Sequence, residues 1–381
     1  MKLALITRRY PPDIGGAEKV LSYLAPALAA EGADVTVLTA HAPGLAKREE
    51  VATPAGRLTV IRLATSRARF VGTWLYMRNL RRWLTEHAID VAYVSMLKHD
   101  AYVAVAQGRR LGFPVVLRPE GAGATGDLAW QAWGRFGKAI ARRCRDADAI
   151  VSISQAITDE LLQAGFAAKR IRALPNGVPI PPTPWQPRPD WQAAPRAHFI
   201  GRLAPEKGLD TLIDAWPLVL ATHPRAKLTL IGEGPERAAL AGQVERLGLR
   251  GAVDLPGATD DAKGQLLASD LFLLSSREEG MSIALLEAMA LGIPLVASAI
   301  PGNQQLVQDR VQGRLAPPND PAALAQVILE QWAEFDQAAL MGQTARRRVA
   351  EEFSIAAVAR KHIDLFQSLL DAKGRGRTIL E

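Results

Sequence analysis

Cysteine is almost absent from this chain: Cys144 is the only one in 381 residues. An internal disulfide is therefore excluded, and a cysteine-based zinc site would need more thiolates than one. Long apolar runs are missing as well. No stretch approaches the roughly eighteen consecutive apolar residues of a membrane span. The opening run Met1–Thr7 reads as a strand cut off by Arg8 and Arg9, too short for a signal-peptide core, so a cytoplasmic protein is expected. Helix-turn-helix, zinc and RNA-binding signatures are lacking, and nucleic acid is not an expected partner of the +7 net charge. No glycine-x-glycine-x-x-glycine follows the first strand, because Gly15-Gly16 stands further along behind two prolines. This argues against an NAD-dependent oxidoreductase.

The residues that are present describe an ordinary globular enzyme, 48% hydrophobic and 22% charged, long enough to divide into two domains. Charge is uneven. Residues 1–190 hold 26 Lys+Arg against 16 Asp+Glu, and residues 191–381 hold 20 against 23. Much of the excess lies in Arg67, Arg69, Arg78, Arg81 and Arg82, interleaved with Phe70, Trp74, Tyr76 and Trp83. That stretch is either a solvated helix face with core aromatics or a surface that rests on an anionic membrane.

Prolines crowd between Pro175 and Pro189, where a helix is impossible and an extended linker is expected. Strand-like runs precede it at Leu3–Thr7, Val35–Thr39, Leu58–Leu63, Val91–Val94, Val115–Leu117 and Ile150–Ile153, with helices at Gly16–Ala30 and Arg135–Arg143. Behind it come strands at Ala197–Ile200, Lys227–Ile231, Val253–Leu255, Leu271–Leu274 and Leu295–Ala297. Asp210–Leu220, Glu236–Leu247 and Ile283–Leu291 are the helices between them, and Phe353–Leu370 is an amphipathic tail. Strand–helix alternation in both halves predicts two doubly wound, mostly parallel α/β domains. The expected division is 1–178, a linker 179–195, 196–352, and a helix within 353–381 packing toward the first domain. Ligands of such sheets bind beyond the carboxyl ends of the strands, which makes a cleft between the domains the expected site.

Two motifs carry the chemistry. Glu279 and Glu287 flank a strand–loop–helix turn, Glu279-Gly280-Met281-Ser282-Ile283, where free N–H groups at the helix start favour an anion. With one carboxylate on each side of that anion, the arrangement suits a nucleotide-sugar. Gly201–Gly208 follows another strand and brings Arg202 and Lys207 together, a fork and a point charge suited to a diphosphate.

In combination these residues resemble the signature of retaining glycosyltransferase family 4, whose fold is GT-B: two Rossmann-like doubly wound domains facing across a cleft, with a C-terminal helix crossing back to the first. Tyr10–Glu18 resembles the family's glycine loop and Leu174–Val178 its interdomain segment. Ile231–Pro235 and Asp254–Gly257 resemble the loops around the nucleobase, and Glu287–Pro294 continues the glutamate motif. The resemblance implies a donor site in which Arg202 and Lys207 hold the diphosphate, Glu279 contacts the transferred sugar and Glu287 the ribose. Gly234 and Pro256 would enclose the base. Gly280 and the N–H groups of Met281, Ser282 and Ile283 would cap the sugar and distal phosphate, with Gly15 and Gly16 closing from the first domain. Arg202, Lys207 and Glu279 are then the catalytic group. Charge developing on the leaving diphosphate would be met by these donors, and no metal or other cofactor is required. The resemblance places Glu287 away from the anomeric carbon, against a glycosidase pair. It departs at Glu120, which stands at or near the place of a histidine in many relatives. Glu120 either hydrogen-bonds a sugar hydroxyl or pairs with Arg118, and with His99 these are the acceptor-side candidates. The implied activity is transfer of a sugar from a nucleoside diphosphate-sugar, UDP- or GDP-linked, to a glycan or lipid-linked acceptor in cell-surface polysaccharide or glycolipid synthesis. A nucleotide-sugar epimerase on the same fold is the alternative. Arg67–Trp83 is where peripheral contact with the inner membrane face would occur.

Overall fold

The structure is a computed structural model that describes residues 1–12, 16–66, 68–123 and 126–378, without the side chains at 17, 69 and 375–378. Asp13, Ile14, Gly15, Arg67 and positions 124–125 of the loop before Asp127 therefore lie outside the described residues. The chain forms two compact units: Met1–Gly177 with Ile355–Glu381, and Val178–Ser354.

The first unit is built on eight strands: β1 Lys2–Ile6, β2 Asp34–Ala40, β3 Arg48–Val51, β4 Arg57–Leu63, β5 Val91–Ser95, β6 Val115–Arg118, β7 Ala149–Ser152 and β8 Ile171–Ala173, in the order β3-β4-β2-β1-β5-β6-β7-β8. Every pairing is parallel except β3 with β4. The residues of β5, β6 and β7 are buried throughout, as expected for strands covered on both faces. The chain reverses its direction of travel across the sheet between β1 and β5. The tail helix Ile355–Thr378 lies on the helix Gly16–Ala30. Val358 of the tail sits so close to Gly177 that a Cβ there would come within 3.0 Å.

The second unit has six strands, β9 Arg196–Ile200, β10 Lys227–Ile231, β11 Val253–Gly257, β12 Leu271–Leu274, β13 Leu295–Ser298 and β14 Arg314–Ala316. All are parallel, in the order β11-β10-β9-β12-β13-β14, with the reversal between β9 and β12. The proline-rich stretch is extended and packed onto this unit. Trp185 is buried and its indole N–H donates to Ser269 O (2.7 Å), and Arg188 grips the buried Asp270 (2.8 Å).

The expected helix Arg135–Arg143 is found as Gly137–Cys144, and a separate, unexpected helix, Asp127–Trp133, precedes it. Phe136 adopts φ 65° between them, and Gly137 lies against Gln131 O, where a Cβ would come within 2.0 Å. A continuous helix has no room at that crossing.

Candidate active site

The switch point of the second sheet collects the donor-side candidates. The loop after β9 carries Arg202 and Lys207, and the loop after the adjacent β12 carries Glu279. Lys207 Nζ lies 2.6 Å from Glu279 Oε1, which also accepts from Ser276 Oγ at 2.7 Å. The two loops are locked together elsewhere. Ser275 Oγ donates to Lys207 O (3.0 Å), the Arg277 N–H donates to Glu206 O (2.7 Å), and the Arg277 guanidinium reaches both oxygens of Asp210 (2.8 and 2.7 Å). Gly208 makes this fit possible. Its φ is +59°, and a Cβ would stand 2.3 Å from Ser275 O.

Beyond Glu279 the chain turns through Gly280 and Met281 into the helix Ile283–Leu291. Ser282 is its N-cap, accepting from the Leu285 N–H at 3.3 Å. The other N–H groups of that first turn have no carbonyl one turn back and face the loop. Glu287 stands one turn into the helix, half-buried. Gly234 presses against Leu203 O, 2.1 Å from a notional Cβ, and Arg237 donates to Leu255 O (2.7 Å) beside Pro256, so the loop after β10 and the end of β11 share this edge. Arg202 is exposed and forms no ion pair among the described residues. One edge of the second sheet thus gathers Arg202, Lys207, Gly234, Pro256, Glu279, Gly280, Met281, Ser282, Ile283 and Glu287.

In the first unit, Gly16 opens the helix that follows β1, and Gly15 is outside the described residues. Glu120 is paired within the protein. The buried Arg118 guanidinium donates to it and to Asn176 Oδ1 (2.5 Å), and Ser95 Oγ donates to it as well (2.5 Å). Asp127 accepts from the Glu120 and Leu97 N–H groups (2.8 and 3.2 Å), and burial pushes its carboxyl up. His99 stands apart from this network. It begins the helix His99–Leu111, meets Trp130 edge-on at 5.5 Å, and lines a cavity of about 370 Å³ with Arg8, Arg9, Lys98 and Asp100. Burial, then Arg8 and Lys98, lower its imidazole below the usual value.

A family model described as Glycosyltransferase Family 4 matches residues 14–180, and one described as Glycosyl transferases group 1 matches residues 194–334. The chain belongs to the group 1 glycosyltransferases.

Three relatives of this glycosyltransferase differ in their named activities. A glycogen synthase of Mycobacterium tuberculosis is 26% identical over 94% of this chain and 92% of its own length. A GDP-mannose-dependent phosphatidylinositol monomannoside mannosyltransferase of the same organism is 25% identical over 96% and 98%. An exopolysaccharide phosphotransferase of Streptomyces coelicolor is 28% identical over 66% of the chain, which spans only 26% of that protein. Among solved structures, Anabaena Alr3699/HepE in complex with UDP-glucose superposes with a TM-score of 0.76 over 97% of this chain and 100% of its own, at 20% identity. That likeness shows the fold, GT-B with two parallel-sheet α/β domains. The protein is a glycosyltransferase related to enzymes of polysaccharide and glycolipid synthesis.

The sequence reading assigned no role to Ser276, Arg277, Asp210 and Asp127, which position the loops, or to Lys98, Asp100 and Glu18 of the first-unit cavity. Glu18 closes the Tyr10–Glu18 motif and Ser276 stands just ahead of Glu279. The others are scattered along the chain and meet only in the fold.

Proposed function

We propose that this glycosyltransferase retains anomeric configuration, needs no metal, and moves a hexosyl group from a nucleoside diphosphate-sugar to a glycan or lipid-linked acceptor. The observation that carries the reading is the Lys207–Glu279 pair, 2.6 Å apart at the reversal of the second sheet and beside a serine-capped helix start. In the proposed site Arg202 and Lys207 grip the diphosphate, with the first-turn N–H groups as further donors. Glu279, already aimed by Ser276, accepts from hydroxyls of the transferred sugar, and Glu287 accepts from the ribose. As the glycosidic bond breaks, negative charge grows on the leaving diphosphate, and donors fixed beforehand stabilise it without reorganising. The cations supply the neutralisation that a metal would otherwise bring. UDP- or GDP-sugars are the proposed donors: the HepE structure holds UDP-glucose, and the mannosyltransferase relative is GDP-mannose-dependent. The base would lie on the loop after β10 and the end of β11.

Charge-assisted hydrogen bonds contribute about 1.5–3 kcal/mol each, and more where water is excluded. Arg202→Ala and Lys207→Ala should therefore each lower kcat/KM by at least about a hundredfold. Wild-type kinetics in either variant would overturn the assignment, and proton NMR of the first-formed product decides whether configuration is retained. An epimerase would convert the donor with no acceptor present, so the same assay without acceptor separates the alternative.

The proposed place of work is the cytoplasm, peripheral at the inner membrane face. Among the described residues no helix is long and apolar enough to cross a membrane. Support for the surface contact comes from Phe70 and Trp74, which are exposed on the helix Arg69–Glu86 beside Arg78.

A further inference from the structure

The first-unit cavity lies where loops ligand their substrates in doubly wound sheets, at the carboxyl ends of β1 and β5 on either side of the strand-order reversal. Its volume, about 370 Å³, falls within the range of small-molecule sites. Arg8 and Arg9 come from the end of β1, Ser95 and Met96 from the end of β5, Lys98 and His99 from the start of the next helix, and Glu18 and Thr73 from flanking helices. Met96 holds φ 70°, a conformation few non-glycine residues adopt, in the turn that presents Lys98.

The cations of this cavity are not held in close ion pairs. Among the described residues, Arg8, Arg9 and Lys98 form no ion pair. Arg8 lies over the Tyr76 ring (4.5 Å), and Lys98 over the Trp130 ring (5.5 Å) and near Met96 Sδ (3.8 Å). The carboxylate of Asp100 is turned to Tyr76, whose O–H donates to it at 3.3 Å. Glu18 and Asp100 share the lining, and Arg8 and Lys98 act on the Asp100 carboxyl, so three cations stand against two carboxylates and the surplus positive charge attracts an anion.

We propose that this cavity recognises an acidic acceptor: a sugar or polyol bearing a phosphate or carboxylate group, gripped by Arg8, Arg9 and Lys98. His99, kept neutral by burial and by the neighbouring cations, offers the acceptor's hydroxyls a hydrogen-bond partner that adds no further charge. Calling the ligand an acceptor rests on the transferase reading, whereas the anion site itself stands without it.

The test reads the site locally and without donor. Protein carrying fluorotryptophan is followed by fluorine NMR, with the Trp130 resonance assigned by Trp130→Phe. Inorganic phosphate, glycerol phosphate, glucuronate and glucose are titrated into wild type, Arg9→Gln, Lys98→Met and Arg202→Ala, and the melting temperature of each variant is recorded. The proposal expects the Trp130 signal to shift with phosphate, glycerol phosphate or glucuronate and not with glucose. Arg9→Gln and Lys98→Met should weaken that shift at least tenfold while Arg202→Ala leaves it intact. Arg9 is exposed, so its variant folds even if Lys98→Met does not. The phosphate and carboxylate arms name the acid. Equal response to glucose, no response to any anion, or loss of the response in Arg202→Ala alone would overturn the site. Failure of the transferase reading would appear elsewhere, as an Arg202→Ala variant with undiminished turnover.

Discussion

Two buried titratable side chains of the first unit oppose one another. Burial raises the Asp100 carboxyl to about 6 from 3.8, against Arg8 and the Tyr76 hydrogen bond. Burial lowers His362 to about 4 from 6.5, although its Nδ1 contacts Val358 O at 2.8 Å. For Asp100 the folded state holds the proton more tightly, so its contribution is complete below pH 3.8 and is lost as pH rises through 6. For His362 the unfolded state binds the proton first, so its contribution is present above pH 6.5 and is lost as pH falls through 4. Each amounts to about 3 kcal/mol across its window, and they cancel over much of pH 4–6.5. Asp100→Asn should therefore exceed the parent in stability by about 3 kcal/mol at neutral pH and match it near pH 4. His362→Phe removes the opposing contribution, so that variant should gain stability as pH falls from about 6 toward 4. Urea melts of the three proteins at about pH 4 and 7 decide it; parallel stability curves for wild type and Asp100→Asn would refute the buried carboxylate.

At the scale of elements, the donor edge depends on how the helix Ile283–Leu291 starts. Ser282 satisfies the Leu285 N–H (3.3 Å) and leaves the preceding donors facing outward. Replacing it by alanine frays that turn, and Ser282→Ala should lower stability by about 1 kcal/mol while raising the donor KM more than it lowers kcat. An unchanged KM would show that the first turn makes no contact with donor. This helix was legible residue for residue, because its Ala, Leu, Glu and Met run is long and its ends are marked by Ser282 and Gly292. The central strands were legible for a similar reason: burial on both faces writes them as unbroken apolar runs. Edge strands were not. Every residue of β3 is exposed in Arg48-Glu49-Glu50-Val51, and β8 and β14 are three residues each, so periodicity had nothing to register. The same limit hid the loop-positioning residues. Arg277 and Asp210 are 67 residues apart and meet only because β9 and β12 are neighbours, whereas Glu279 and Glu287 carried their signal in local spacing.

Across the whole molecule, the basic excess of the first half was visible as a count, but its arrangement was not. Segments 67–85 and 128–145 contain ten Lys and Arg and no carboxylate. The first unit brings them together: the Arg135 guanidinium lies 4.8 Å from the Phe70 ring and 5.2 Å from the Phe136 ring. In the two segments Phe70, Val71, Trp74, Trp133 and Phe136 are all at least 55% exposed. Exposed aromatics grouped with arginines suit the headgroup boundary of an anionic bilayer, where rings insert and each cation adds about 1 kcal/mol. The full-length protein should float with phosphatidylglycerol vesicles at low salt, remain below with phosphatidylcholine vesicles, and be released as salt shortens the screening length. Trp74→Ser combined with Phe136→Ser should reduce flotation even at low salt, since charge alone would leave the protein hovering without inserting. Sedimentation away from anionic vesicles, or flotation indifferent to both salt and the double substitution, would leave these aromatics without a membrane role and shift attention to a protein partner.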